Sequence, residues 1–148
     1  MILVETILPV ARERLVTIGD DAPLTEAAKF LDGRHINLVV VCDKRGAMVG
    51  VITRTDVVRQ ISLCVGCGCT AHAATVMTKD VVYCRPGDSL EDVWSIMKER
   101  KLLHVPIVGD DLRPLGVINA RDALLVLLEG SEHDSSLMRD YVMGIGYR

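Results

Sequence analysis

Aromatic side chains are nearly missing from this chain: one Phe, one Trp and three Tyr make up 3 % of its 148 residues. A core built without them must be aliphatic, and the Val, Ile, Leu, Ala and Met available to fill it are typical of buried α/β layers. Charge imbalance is small as well. The formal net charge is −3 and the isoelectric point about 5.8, which leaves no basic footprint for nucleic acid. No apolar run reaches the roughly 18 residues that mark a bilayer-spanning helix. The opening stretch Met1 to Pro9 is apolar, but Glu5 interrupts it and no basic n-region precedes it, so it does not read as a signal peptide. P-loop, H-E-x-x-H, G-x-S-x-G and dinucleotide-type glycine signatures are all missing. His35, His72, His104 and His133 show no spacing that suggests a catalytic pair, and Glu26 and Asp92 fall on polar helix faces. The expectation is a cytoplasmic protein with no active site, no membrane segment and no nucleic-acid partner.

What is present is a duplication. Gly50-Val51-Ile52-Thr53-Arg54-Thr55-Asp56 returns 66 positions later as Gly116-Val117-Ile118-Asn119-Ala120-Arg121-Asp122. The same shift places Val16 on Val82, Leu24 on Leu90, Arg34 on Arg100 and Val39 on Val105. In each copy the stretch reads as a strand running straight into a helix. Around it the first copy predicts a lead-in at Val4 to Leu8 stopped by Pro9, and a strand over Arg12 to Ile18. A helix follows, with Leu24, Ala27, Ala28 and Leu31 on one face. A hairpin of Leu38–Cys42 with Met48–Ile52 comes next, and a helix from Thr55 to Leu63 closes the unit. The second copy predicts a strand at Val81–Cys84 and a helix capped by Ser89, with Leu90, Val93, Trp94 and Met97 as its face. Strands at Val105–Val108 and Leu115–Ile118 and a last helix to Glu129 complete it. One such unit cannot cover both faces of its sheet, whereas two can complete a common core. The predicted fold is α+β: two β-α-β-β-α repeats packed sheet to sheet with pseudo-two-fold symmetry. Residues 1–70 hold the first repeat with its lead-in and a cysteine-rich connector, 71–130 the second, and 131–148 a tail.

The repeated stretch has the chemistry of a nucleoside-phosphate cradle. A helix N-terminus presents unpaired N–H groups and a positive dipole end. An ionised Asp accepts both hydroxyl protons of a ribose diol. Glycine lets a backbone approach where a side chain would obstruct. The same residues, Thr55, Asp56, Asn119 and Asp122, are equally good helix caps.

The paired Gly-h-h-(Thr/Ser)-x-x-Asp stretches resemble those of a tandem CBS-domain pair, the Bateman module, here of a small stand-alone bacterial type. Support comes from Val16-Thr17-Ile18 and Val81-Val82-Tyr83 as first strands and from the helix-opening turns Pro23-Leu24 and Ser89-Leu90. The strand His104–Val108, the connector Met77–Val82 and the Asp140 to Arg148 tail are also similar. The resemblance implies a regulatory module that binds an adenine nucleotide (AMP, ADP, ATP or a related adenosyl ligand) and signals through the shape of a homodimer to an effector protein. It points to Thr53, Thr55, Asp56, Asn119, Arg121 and Asp122 for ribose and phosphate, to His104 near phosphate, and to Thr17, Tyr83 and Pro106 around adenine. Asn119 departs from the family's Thr, and Leu38 stands where His104 would have its counterpart.

Cys64, Cys67, Cys69 and His72 crowd into the connector. Their spacing offers four N/S ligands for zinc, or low-pKa thiols for a redox response. A flexible small-residue linker with incidental cysteines is the plainer account of them. Cys42 and Cys84, in apolar strands, are expected to be buried and inert. A metal- or redox-sensing module and a ligand-free interaction scaffold therefore stand beside the nucleotide reading.

Overall fold

The computed structural model describes residues 1–33, 36–64 and 71–130. A 3-10 turn at Val4–Ile7 leads into helix α1 (Leu8–Glu13). Pro9 therefore does not stop the lead-in. It sits in the first turn of α1, where its missing N–H would be unpaired in any case. The strand expected from Arg12 begins only at Thr17, because Arg12 and Glu13 belong to α1, and β1 is the short Thr17–Gly19. It pairs in parallel with β2 (Leu38–Cys42), and β2 pairs antiparallel with β3 (Met48–Thr53). Between β1 and β2 lies α2 (Leu24–Leu31), which buries Leu24, Ala27 and Leu31 on the face its spacing predicts. β3 runs directly into α3 (Arg54–Leu63).

The second repeat follows a short α4 (Ala73–Val76). It comprises α5 (Leu90–Arg100), β4 (His104–Val108), β5 (Pro114–Asn119) and α6 (Ala120–Gly130). Its sheet holds β4 and β5 alone. The strand expected at Val81–Cys84 is reduced to one parallel bridge between Cys84 and Ile107, since only Cys84 exchanges backbone bonds there: its N–H donates to Pro106 and its carbonyl accepts from Val108.

The two hairpins repeat in backbone detail. Every pair from Leu38↔Thr53 to Cys42↔Met48 recurs 66 residues later, from His104↔Asn119 to Val108↔Pro114, with the same register shift at the hairpin end. That shift places one extra residue opposite the partner strand, Val49 in one copy and Leu115 in the other, and re-aims the residues beyond it. Alternation along β2 then separates two cores. Val39 and Val41 pack on the α2 side with Ile18, Leu31 and Ile52. Leu38, Val40 and Cys42 face the other sheet and meet Val108 and Val117. The sheets thus pack face to face, as the duplication requires.

The lead-ins are exchanged between repeats. α1 packs on β5, and a Cβ on Gly116 would stand 2.8 Å from the Ala11 carbonyl carbon. Ala11 plus 66 is Met77, and a Cβ on Gly50 would stand 2.6 Å from the Met77 sulfur. Thr78 bridges Val51 through both backbone bonds. These glycines thus admit the other repeat's lead-in, a use different from the ligand approach their position suggests.

Candidate functional site

Both strand-to-helix joints are capped by their own residues. At the first, the Asp56 carboxylate accepts from the Thr53 N–H at 3.0 Å, and the Thr53 hydroxyl accepts from the Asp56 N–H at 3.5 Å. That is a reciprocal capping box. Asp56 is 5 % exposed, and the Thr53 and Thr78 hydroxyls also donate to it, Thr78 at 3.2 and 3.3 Å. At the second joint Asn119 replaces Thr. Its Oδ1 accepts from the Arg121 N–H at 2.9 Å, and its Nδ2 lies 3.3 Å from His104 Nε2.

A cleft of about 770 Å³ opens where the two joints meet, within the size range of small-molecule sites. Thr53 and Asn119 line it from the ends of β3 and β5, Thr55 and Asp56 from α3, Arg121 from α6, and His104 and Pro106 from β4. The N-termini of two helices therefore converge on one space. Thr17, Tyr83 and Asp122 do not line this cleft: Thr17 and Tyr83 are exposed, and Asp122 is ion-paired with Arg14 at 2.6 Å. Connectors supply residues that local patterns did not single out, namely Thr78, Asp80 and Val82 after α4 and Lys101 after α5. The only signal for Thr78 and Asp80 was the connector Met77–Val82 itself. Lys101 ends α5 in the left-handed conformation, φ 58°.

The cations of the cleft are not equivalent. Arg54 donates to the Leu31, Gly33 and Ile36 carbonyls and to Asn37. It closes the C-terminal end of α2, whose last carbonyls lack intrahelical partners. Arg121 and Lys101 are exposed at the cleft. The His104 imidazole is pushed below its ordinary pKa by burial, then by the Arg14 and Arg54 charges, with Asp122 opposing. Near neutral pH it is uncharged, so Nε2 can accept from Asn119 while Asn119 Oδ1 caps α6.

The proposed metal set gains no support. His72 Nδ1 donates to the Asp21 carbonyl at 2.9 Å, and Cys64 caps the end of α3. Cys67 and Cys69 lie outside the described residues. Among those described, no group of three or more His, Cys, Asp or Glu side chains is arranged to hold a metal ion. Cys42 and Cys84 are buried, and burial, aided by Asp88, pushes the Cys84 thiol up to about 12. A thiol so protonated is a poor nucleophile. No helix of the described residues is long and apolar enough to cross a membrane.

Residues 4–63 and 73–129 each match the CBS domain. The chain belongs to the CBS-domain family. It is 29 % identical over 110 residues, 74 % of its length, to inosine-5'-monophosphate dehydrogenase of Nitrosopumilus maritimus, of which it spans only 22 %. Among solved structures it resembles the CBS-domain containing protein ATU1752 of Agrobacterium tumefaciens, with 28 % identity and a TM-score of 0.71, covering 85 % of this chain and 99 % of that one. The CBS domain pair of protein MJ0100 shares the fold at 24 % identity and a TM-score of 0.70, over 89 % of this chain and 98 % of that one. That pair was solved in complex with 5'-methylthioadenosine and S-adenosyl-L-methionine.

Proposed function

We propose that this CBS pair is a regulatory module that binds an adenine nucleotide or related adenosyl ligand in the cleft between its repeats. The observation that carries the reading is the convergence of the α3 and α6 N-termini, with Arg121 and Lys101, on one nucleotide-sized space. The adenosyl ligands of MJ0100 support the ligand class. In this reading Thr53, Thr55 and Asp56 hold the ribose, Asn119, Arg121 and His104 the phosphates, and Pro106 backs the base.

Asp56 also supplies a route for the signal. Its lone pairs are engaged by Thr53, Thr78 and, at 3.4 Å, Arg59. A ribose diol on Asp56 competes with these donors, and displacing the Thr78 hydroxyl would remove a side-chain tie of the connector beside its backbone bonds to Val51. The ligand shifts the module only by the difference between its affinities for these arrangements. Exposed Val58, Ile61 and Leu63 on α3, with Leu125 on α6, favour a homodimer packed through these helices as the element that relays the change to an effector protein. The dehydrogenase relative is mostly other sequence, which fits a controlling rather than a catalytic role for this part. A ligand-free scaffold is the second reading, favoured by the internal partners that both Asp56 and Asp122 already have.

Calorimetric titration of AMP, ATP, NADH and S-adenosylmethionine into wild type, Thr55→Ala and Arg121→Ala separates the two. Binding by wild type that weakens in either variant supports the cleft. No heat from any of the four ligands with folded protein leaves the scaffold.

A further inference from the structure

The two ends of the cleft hold their aspartates differently although they descend from one repeated unit. Asp56 is held by hydroxyls, a backbone N–H and the exposed Arg59, with Arg54 also lining that end, and Asp122 by a lead-in guanidinium. Positions 14 and 80 correspond under the 66-residue shift, but it is Arg14 in one lead-in and Thr78 in the other that reach the opposite repeat's aspartate. At the first end Thr78 donates to Asp56, and Asp80 and Arg54 both line the cleft. At the second end Arg14 grips Asp122 with both arms of its guanidinium, Nε to Oδ2 at 2.6 Å and Nη2 to Oδ1 at 3.2 Å. The pair is largely covered, 28 % and 16 % exposed. Asp122 does not line the cleft, while Arg121 and Lys101 do.

We propose that Arg14 masks Asp122 and thereby makes the second end of the cleft an anion pole, so that the module selects a polyphosphate-bearing adenosyl ligand over an uncharged one. The inference rests on the nucleotide reading of the cleft and adds the ligand's charge and orientation. Its phosphates lie toward Arg121 and Lys101, and its ribose toward Asp56. A bidentate carboxylate–guanidinium pair presents almost no net charge beyond its own contact. Released from Arg14, Asp122 would stand as a bare anion beside His104 and oppose phosphate.

The test uses ATP and 5'-methylthioadenosine as probes against wild type, Arg14→Gln and the double variant Arg14→Gln/Asp122→Asn. Freeing Asp122 in Arg14→Gln is expected to weaken ATP binding about tenfold while methylthioadenosine binding holds, and the double variant is expected to regain ATP affinity. If the double variant stays as weak as the single one, or both probes weaken alike, the inference fails: Arg14 would then touch phosphate itself or hold the fold. NMR titration of His104 without ligand gives an independent readout. Arg14→Gln removes a cation and frees an anion, so the His104 midpoint should rise, and it should fall back in the double variant. An unchanged midpoint overturns the masking whatever binds. A shifted midpoint with neither probe binding to wild type overturns the nucleotide reading and the selectivity drawn from it.

Discussion

The two joints of this molecule share their sequence pattern and their backbone register, yet they differ in what holds them. At the first, Asp56 is buried and caps α3 through a network made within its own repeat and with Thr78. At the second, the cap passes to Asn119, and Asp122 pairs instead with Arg14 of the lead-in. Duplication preserved the frame, and the side chains then diverged at the positions where the lead-ins cross. A motif aspartate is therefore defined by what the opposite lead-in offers it: a hydroxyl from Thr78 in one place, a guanidinium from Arg14 in the other.

The largest effect should come from forcing the lead-ins apart. Gly116→Ala places a methyl 2.8 Å from the Ala11 carbonyl carbon and 3.0 Å from its oxygen. The helix backbone there cannot yield, and a loss of about 3 kcal/mol is expected. Gly50→Ala meets chiefly the Met77 side chain, with the Thr78 carbonyl at 2.9 Å. Because the thioether can move, about 2 kcal/mol is expected. Urea denaturation of both variants measures the difference, and equal losses would show that the two crossings are equally rigid.

The aspartates come next. Asp56→Ala removes a buried cap and leaves the half-buried Thr53 N–H and the Thr78 hydroxyl without their acceptor, for a cost of about 3 kcal/mol. Asp122→Ala leaves Arg14, which can reach water, and should cost about 1 kcal/mol. Thermal melts of the pair decide this, and a reversed order would mean that the ion pair, rather than the capping box, anchors its joint.

These contrasts also mark where sequence reasoning stops. The helix faces of α2 and α5 and both hairpins were legible, because spacing and β-branched runs report local burial. The exchange of lead-ins was not. Pro9 reads locally as a stop, yet it opens α1, and nothing near Gly116 says that Ala11 rests on it. Of the candidate site residues, those on the two joints and on β4 reach the cleft, since one backbone register carries them all. Asp122, Thr17 and Tyr83 do not, because the partner or exposure of each depends on a segment far away in the chain. Thr78, Asp80 and Lys101 arrive on connectors, where periodicity carries no signal.

Lys101 offers a finer contrast, since stability and binding should move in opposite directions. At φ 58° a side chain is strained where glycine is not, so Lys101→Gly should stabilise by up to about 1 kcal/mol. The same change removes a cation from the cleft, and polyphosphate affinity should fall a few-fold. A variant that gains stability and keeps its affinity would place Lys101 outside the phosphate path.

The smallest expected effect separates His104 from Leu38, its counterpart in the first repeat, which cannot titrate. Burial, with Arg14 and Arg54, holds the folded-state pKa of His104 below its ordinary 6.5. Below 6.5 the unfolded chain takes up a proton that the folded protein resists, so stability rises with pH across that interval. The contribution is complete above the unfolded value and is lost as pH falls through 6.5 toward the folded pKa. Denaturation of wild type and His104→Gln between about pH 5 and pH 8 isolates it as the difference between the two curves. The difference should be flat at the alkaline end and decline toward the acid end. A decline in the opposite direction would mean that the folded protein prefers the charged imidazole, and that Asp122, not Arg14, dominates the field at the second joint.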